Sequence, residues 1–201
     1  MIHTLIVPGV GGSEHDHWQS WLQRGLMQCS RVQQQDWNHP VLSTWVAQFV
    51  KSVQQIEDDI EIVAHSFGCL TSLAALDQHP ELCRKIKKLV LVAPADPARF
   101  GENGFARHSQ TDYSAYFHQL KLQVPTIMLI SENDPWLSFE DAHAFARSWK
   151  IQPVNLGAVG HVNVASGFGP FPEIKQYLNS EMPMQHISNT DESKYFFKFA
   201  F

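Results

Sequence analysis

With 201 residues, 44% of them hydrophobic and 17% charged, the chain suits one domain and can bury a sizeable core. A formal charge of −5 and a pI near 6.1 argue against the basic face of a nucleic-acid binder; the densest cationic run, Arg84-Lys85-Ile86-Lys87-Lys88, reads as a solvated helix end. No apolar run is long enough to span a membrane. Three cysteines (Cys29, Cys69, Cys83) in no zinc pattern, with no leader peptide, fit a reduced cytoplasmic protein.

Taken in order, residues 3–7 read as a strand that ends in Pro8-Gly9-Val10-Gly11-Gly12. A dinucleotide fingerprint would need a third glycine where Glu14 stands, so these glycines read instead as a loop whose N–H groups can face a developing negative oxygen. A helix follows through Trp18, Trp21, Leu22 and Leu26, apolar at helical spacing. His15-Asp16-His17 at its start suggests metal ligands only superficially, because positions i and i+2 diverge on a helix; no metal is expected. Residues 31–35 suggest a short edge strand. Residues 36–40 form a loop, and Ser43 looks like the N-cap of a helix carrying Trp45, Val46, Phe49, Val50 and Val53.

Ile60-Glu61-Ile62-Val63 is a short β-branched run and reads as a buried strand. It breaks at Ala64-His65-Ser66-Phe67-Gly68 and resumes as an apolar helix, residues 70–76. A serine at a tight strand-to-helix turn, with small residues two before and two after it, is the nucleophile elbow of the α/β-hydrolases. Ala64 replaces the usual first glycine at the cost of one methyl group. Cys69, on the elbow helix, reads as packing. Residues 87–93 and 124–131 are further buried strands, 139–149 a helix, 154–156 a last short strand, and 173–178 the start of a final helix. Residues 98–123, with Phe100, Phe105, Tyr113, Tyr116 and Phe117, suggest either a short lid or pocket wall, or a packed excursion.

Strands alternating with helices predict an α/β fold: a compact α/β-hydrolase, its mostly parallel sheet flanked by helices, with little or no lid. Residues 1–179 form this domain. Residues 180–201 form an aromatic C-terminal extension of it, a candidate for docking on the domain or for a homodimer contact.

Ser66, Asp134 and His161 each fall just beyond a predicted strand, and in a parallel sheet such positions share one edge. Each has an ordinary reading alone: a turn serine, a turn-starting Asp134 before Pro135, a satisfied loop histidine. Three together, in the order Ser, Asp, His, point to a catalytic triad. Asp96 is the reserve acid, crowded by Pro94 and Pro97. The N–H groups of Phe67 and Val10 are candidates for the oxyanion hole, and Gly11, His65 and Trp136 for substrate contacts.

The sequence resembles the small, lid-poor α/β-hydrolases typified by retinoblastoma-binding protein 9, a group of predicted serine hydrolases. The resemblance rests on Val7-Pro8-Gly9-Val10-Gly11-Gly12 followed by His17-Trp18, on Val63 to Gly68, on Ser131-Glu132-Asn133-Asp134-Pro135, and on Gly157 to Asn163 with Gly167-Phe168-Gly169. It implies a cofactor-free hydrolase of small acyl esters, thioesters or amides, working through Ser66, Asp134 and His161. The alternative is a protein-binding module on a hydrolase scaffold with a secondary or vestigial site. Against it stand the complete triad pattern and the lack of a Leu-any-Cys-any-Glu segment.

Overall fold

Six short apolar runs pair into one all-parallel sheet in the order β2-β1-β3-β4-β5-β6. The computed structural model describes residues 1–99 and 113–178; Phe100, Phe105 and the extension from residue 180, with its dimer expectation, lie outside the described residues. The elements are β1 (Ile2–Val7), α1 (Trp18–Arg24), β2 (Cys29–Arg31), α2 (Leu42–Gln54), β3 (Asp59–Ser66), α3 (Phe67–Gln78), β4 (Ile86–Pro94), α4 (Tyr113–Gln119), β5 (Thr126–Ile130), α5 (Phe139–Ser148) and β6 (Val154–Asn155).

Because strand side chains alternate, each central strand feeds two cores. Leu5, Val7, Leu89 and Leu91 face a large core built with Trp45, Phe49, Leu70, Phe117 and Phe145 from α2 to α5. Ile6, Val90 and Val92 face a smaller one built with Trp18 and Leu22 of α1 and with Phe171 and Ile174. Helix α2 has an apolar stripe at Leu42, Trp45, Val46, Phe49 and Val53. By contrast, α3 is buried on every side from Phe67 to Leu76, Thr71 and Ser72 included. The chain leaves β1 toward one face, through α1, and leaves β3 toward the other, through α3. A crevice therefore opens beyond the ends of β1 and β3, where such sheets bind ligands.

Three local expectations need correction, and one pair of alternatives resolves for the described residues. The edge strand lies at Cys29–Arg31, upstream of residues 31–35, in register with Thr4 to Ile6. It ends there because the fully buried Val32 turns inward and the Arg31 guanidinium bonds the Gly12 and Ser13 carbonyls. Helix α2 starts at Leu42 with Val41 as N-cap and no side-chain cap, so Ser43 is already helical; burial of Leu42 starts the helix before the polar residue. Pro172–Tyr177 forms 3-10 turns, not an α-helix. The described part of the residue 98–123 segment packs inward: Phe117 is fully buried, the Trp149 indole N–H donates to its carbonyl at 2.7 Å, and the Tyr116 hydroxyl donates to Asp77 at 2.9 Å. Tyr113, Tyr116 and Phe117 therefore belong to the large core, not to the cleft wall.

Candidate active site

Ser66 is the last residue of β3 and caps α3, at φ 54° and ψ −123°. A non-glycine residue rarely adopts that region, and one held there marks stored strain. The turn is tight because Gly68 lies against β1: a Cβ there would come within 2.3 Å of the Val7 carbonyl oxygen. Gly9 is equally confined, since its Cβ would meet the Ser66 Cβ at 2.7 Å. Ala64, by contrast, fits its place with no exposure.

The three chain-distant residues meet. His161 Nε2 lies 2.8 Å from Ser66 Oγ, and His161 Nδ1 lies 2.9 Å from both carboxylate oxygens of Asp134. The His161 and Asp134 side chains are only 6% and 4% exposed. Facing a carboxylate, Nδ1 carries the ring proton, which leaves Nε2 as the acceptor toward the Ser66 hydroxyl. The Trp136 N–H donates to Asp134 Oδ1 at 2.8 Å and holds the carboxylate in place. Asp96 takes no part: it accepts the Ala98 N–H in an exposed turn.

The His161 loop is tied down mostly by short polar side chains. Asn133 Oδ1 accepts the Gly160 N–H at 2.7 Å, Ser131 Oγ accepts the Val159 N–H at 3.1 Å, and Ser166 Oγ accepts the His161 N–H at 2.9 Å. The Trp18 indole donates to the Val162 carbonyl at 2.9 Å. Val162 itself sits at φ 50°, an outlier for a β-branched residue.

The opposite bank is the loop after β1. Gly11 N–H donates to the Trp37 carbonyl at 3.0 Å and Gly12 N–H to the Gly9 carbonyl at 3.1 Å, whereas the Val10 N–H donates to nothing among the described residues. Beneath it, Arg31 donates to the Gly12 and Ser13 carbonyls and to Ser20 Oγ, at 2.8, 2.9 and 2.7 Å. Trp37 lies over Gly12, Trp45 over Trp37, and Phe67 over Trp45, with ring centres 5.5 and 5.0 Å apart in the last two contacts.

Between the banks lies a cleft of about 340 Å³ lined by Ser66 and His161 and by the expected Val10, Gly11, His65, Phe67 and Trp136. The Gly11 N–H is spent on Trp37, and His65 donates its Nε2–H to the His161 carbonyl at 2.9 Å. Burial, reinforced by His161 and His17, holds the His65 ring well below the usual histidine range and therefore neutral. His17, Ser13, Asn163 and Val164 also line the cleft and were not expected there. His17 was singled out only as a failed metal ligand; in fact His15 is exposed and pairs with Asp16, while His17 is buried. Only the His17-Trp18 pairing hinted at it. Burial also pushes the Cys69 thiol up, so it stays protonated and donates to the Val92 carbonyl.

Residues 4–180 match the serine hydrolase family along nearly the whole chain. The chain belongs to that family. It is similar to a YdeN-like hydrolase of Pectobacterium atrosepticum, at 30% identity over 88% of each chain with a TM-score of 0.76. The ydeN gene product of B. subtilis (17% identity, 88% of this chain and 96% of that one, TM-score 0.67) shares the fold. So does Est1E of Butyrivibrio proteoclasticus, solved with ferulic acid bound (16%, 83% and 86%, TM-score 0.59). No curated protein sequence matches this serine hydrolase. Among its described residues, no helix is long and apolar enough to cross a membrane.

Proposed function

We propose that the chain hydrolyses small acyl esters, thioesters or amides through an acyl-enzyme on Ser66. The observation that carries this reading is the unbroken run from Ser66 Oγ through His161 to the buried Asp134. As Ser66 Oγ bonds to the substrate carbonyl carbon, its proton passes to His161 Nε2. Asp134 holds the imidazole by Nδ1–H and stabilises the imidazolium. The carbonyl oxygen becomes an oxyanion, met by the N–H groups of Val10 and Phe67; losing one such donor typically costs about 3 kcal/mol. The bond to the leaving group then breaks and His161 returns the proton to it. Water repeats the sequence on the acyl-Ser66 ester, releasing the acid.

Within the family we read the chain as kin to the small hydrolases typified by retinoblastoma-binding protein 9, on the strength of the motifs around His17-Trp18, Ser66 and Asp134. Three unpaired cysteines support a reducing, cytoplasmic setting. A fluorophosphonate probe is expected to label Ser66, and p-nitrophenyl esters of short acids to be turned over faster than long ones. An unlabelled protein whose Ser66→Ala variant retains all hydrolysis would refute the acyl-enzyme.

A further inference from the structure

Among the cleft-lining polar groups with no task in the scheme above, which include the exposed Glu14 carboxylate and the half-buried Asn163 amide, the buried one is Nε2 of His17. The residue is only 5% exposed, yet it borders the cleft. Its Nδ1 accepts the Gln19 N–H at 3.1 Å, which puts the proton of the neutral ring on Nε2. That N–H has no hydrogen-bond partner among the described residues. Burial first, then Arg31 and His161, hold the ring down to about 4, so at neutral pH it is a donor and not a cation. His65 beside it already donates its Nε2–H to the His161 carbonyl, so His17 is the imidazole with an unengaged N–H to offer.

Its position selects a side of the substrate. The His17 ring lies 4.8 Å from His65, which lies 5.0 Å from His161, while Phe67 on the other flank packs on Trp45. His17 thus stands on the His161 flank. In acyl transfer the leaving group takes its proton from that imidazole and departs along the same flank.

We propose that the His17 Nε2–H binds an acceptor oxygen in the leaving group, and that the enzyme selects acyl esters whose alcohol portion carries a second oxygen within reach of it. This rests on the acyl-enzyme reading. A site built around a hydrogen bond discriminates against an analogue that lacks the partner, because bound analogue excludes water and leaves the donor unpaired.

The test compares 2-hydroxyethyl butyrate with propyl butyrate, which share the acyl group and nearly the same shape. The native enzyme is expected to favour the hydroxyethyl ester by about tenfold in kcat/KM, the size of one such bond. His17→Ser keeps a helix-capping oxygen but cannot reach the cleft, and should bring the ratio near one. The same preference is expected in the partition of the acyl-enzyme, formed from p-nitrophenyl butyrate, between ethylene glycol and 1-propanol as acceptors. A native ratio near one, or a His17→Ser variant that slows both esters equally, overturns the proposal. If Ser66 is labelled by the fluorophosphonate while the ratio is flat, this inference alone fails. If Ser66 is unlabelled and Ser66→Ala hydrolyses both esters undiminished, the acyl-enzyme reading falls with it.

Discussion

The two banks of the cleft are held by different means. The loop after β1 is fixed through main-chain bonds from Gly11 and Gly12 to carbonyls and by one side chain, Arg31, which grips two more carbonyls from below. The His161 loop hangs on the side chains of Asn133, Ser131, Ser166 and Trp18. Main-chain bonds survive most substitutions, whereas a side-chain strut disappears with one. The His161 bank should therefore be the more fragile to point changes, and the β1 bank vulnerable mainly at Arg31 and where a glycine is compulsory.

The largest effect expected is on the charged strut itself. Asp134→Asn keeps the shape but removes the carboxylate that sets the His161 tautomer, and kcat should fall about 10⁴-fold with KM little changed. Retention of even a tenth of the native kcat would show that another group orients the ring.

Acid should next loosen the region where the banks meet. Unfolded histidine takes a proton near pH 6.5, while folded His17 resists to about 4 and burial holds His65 well below the usual range too. Stability is thus full above 6.5 and lost as pH falls from there toward 4, by about 3 kcal/mol from His17 alone. Urea unfolding at pH 7 and pH 4.5 measures this, and the slope should flatten in His65→Asn. A pH-independent midpoint would mean that these rings are hydrated.

Gly9→Ala attacks the main-chain bank where it touches Ser66. The new methyl must displace Ser66, which should cost about 1–3 kcal/mol and lower kcat more than KM. Asn133→Ala removes a strut from the other bank. About 1–2 kcal/mol of stability should go with it, read as a lower melting temperature, because the Gly160 N–H loses its acceptor. A harmless Asn133→Ala would break the contrast, and a harmless Gly9→Ala would show that this glycine is not compulsory.

Much of this was visible in the sequence for simple reasons. β-branched runs marked β1, β3, β4 and β5, and Ser66, Asp134 and His161 stood out because each falls at or beyond the end of a strand in a parallel sheet. The struts were hidden because they depend on sheet register. Asn133 meets Gly160 only once β5 and β6 pair as Leu129 with Val154 and Ile130 with Asn155. The start of α2 was misplaced because burial of Leu42 outweighed a polar cap. His17 was missed because its solvent exposure is set by α1 and β3 jointly, not by its neighbours.

Two residues beside the chemistry, Ser66 at φ 54° and Val162 at φ 50°, occupy backbone conformations that glycine adopts freely. Each holds about 1–3 kcal/mol in reserve. A screen that selects variants only for heat resistance would be drawn to glycine at Ser66, though not at Val162, whose fully buried side chain fills the smaller core. It would recover hardier proteins that had lost the hydroxyl they need.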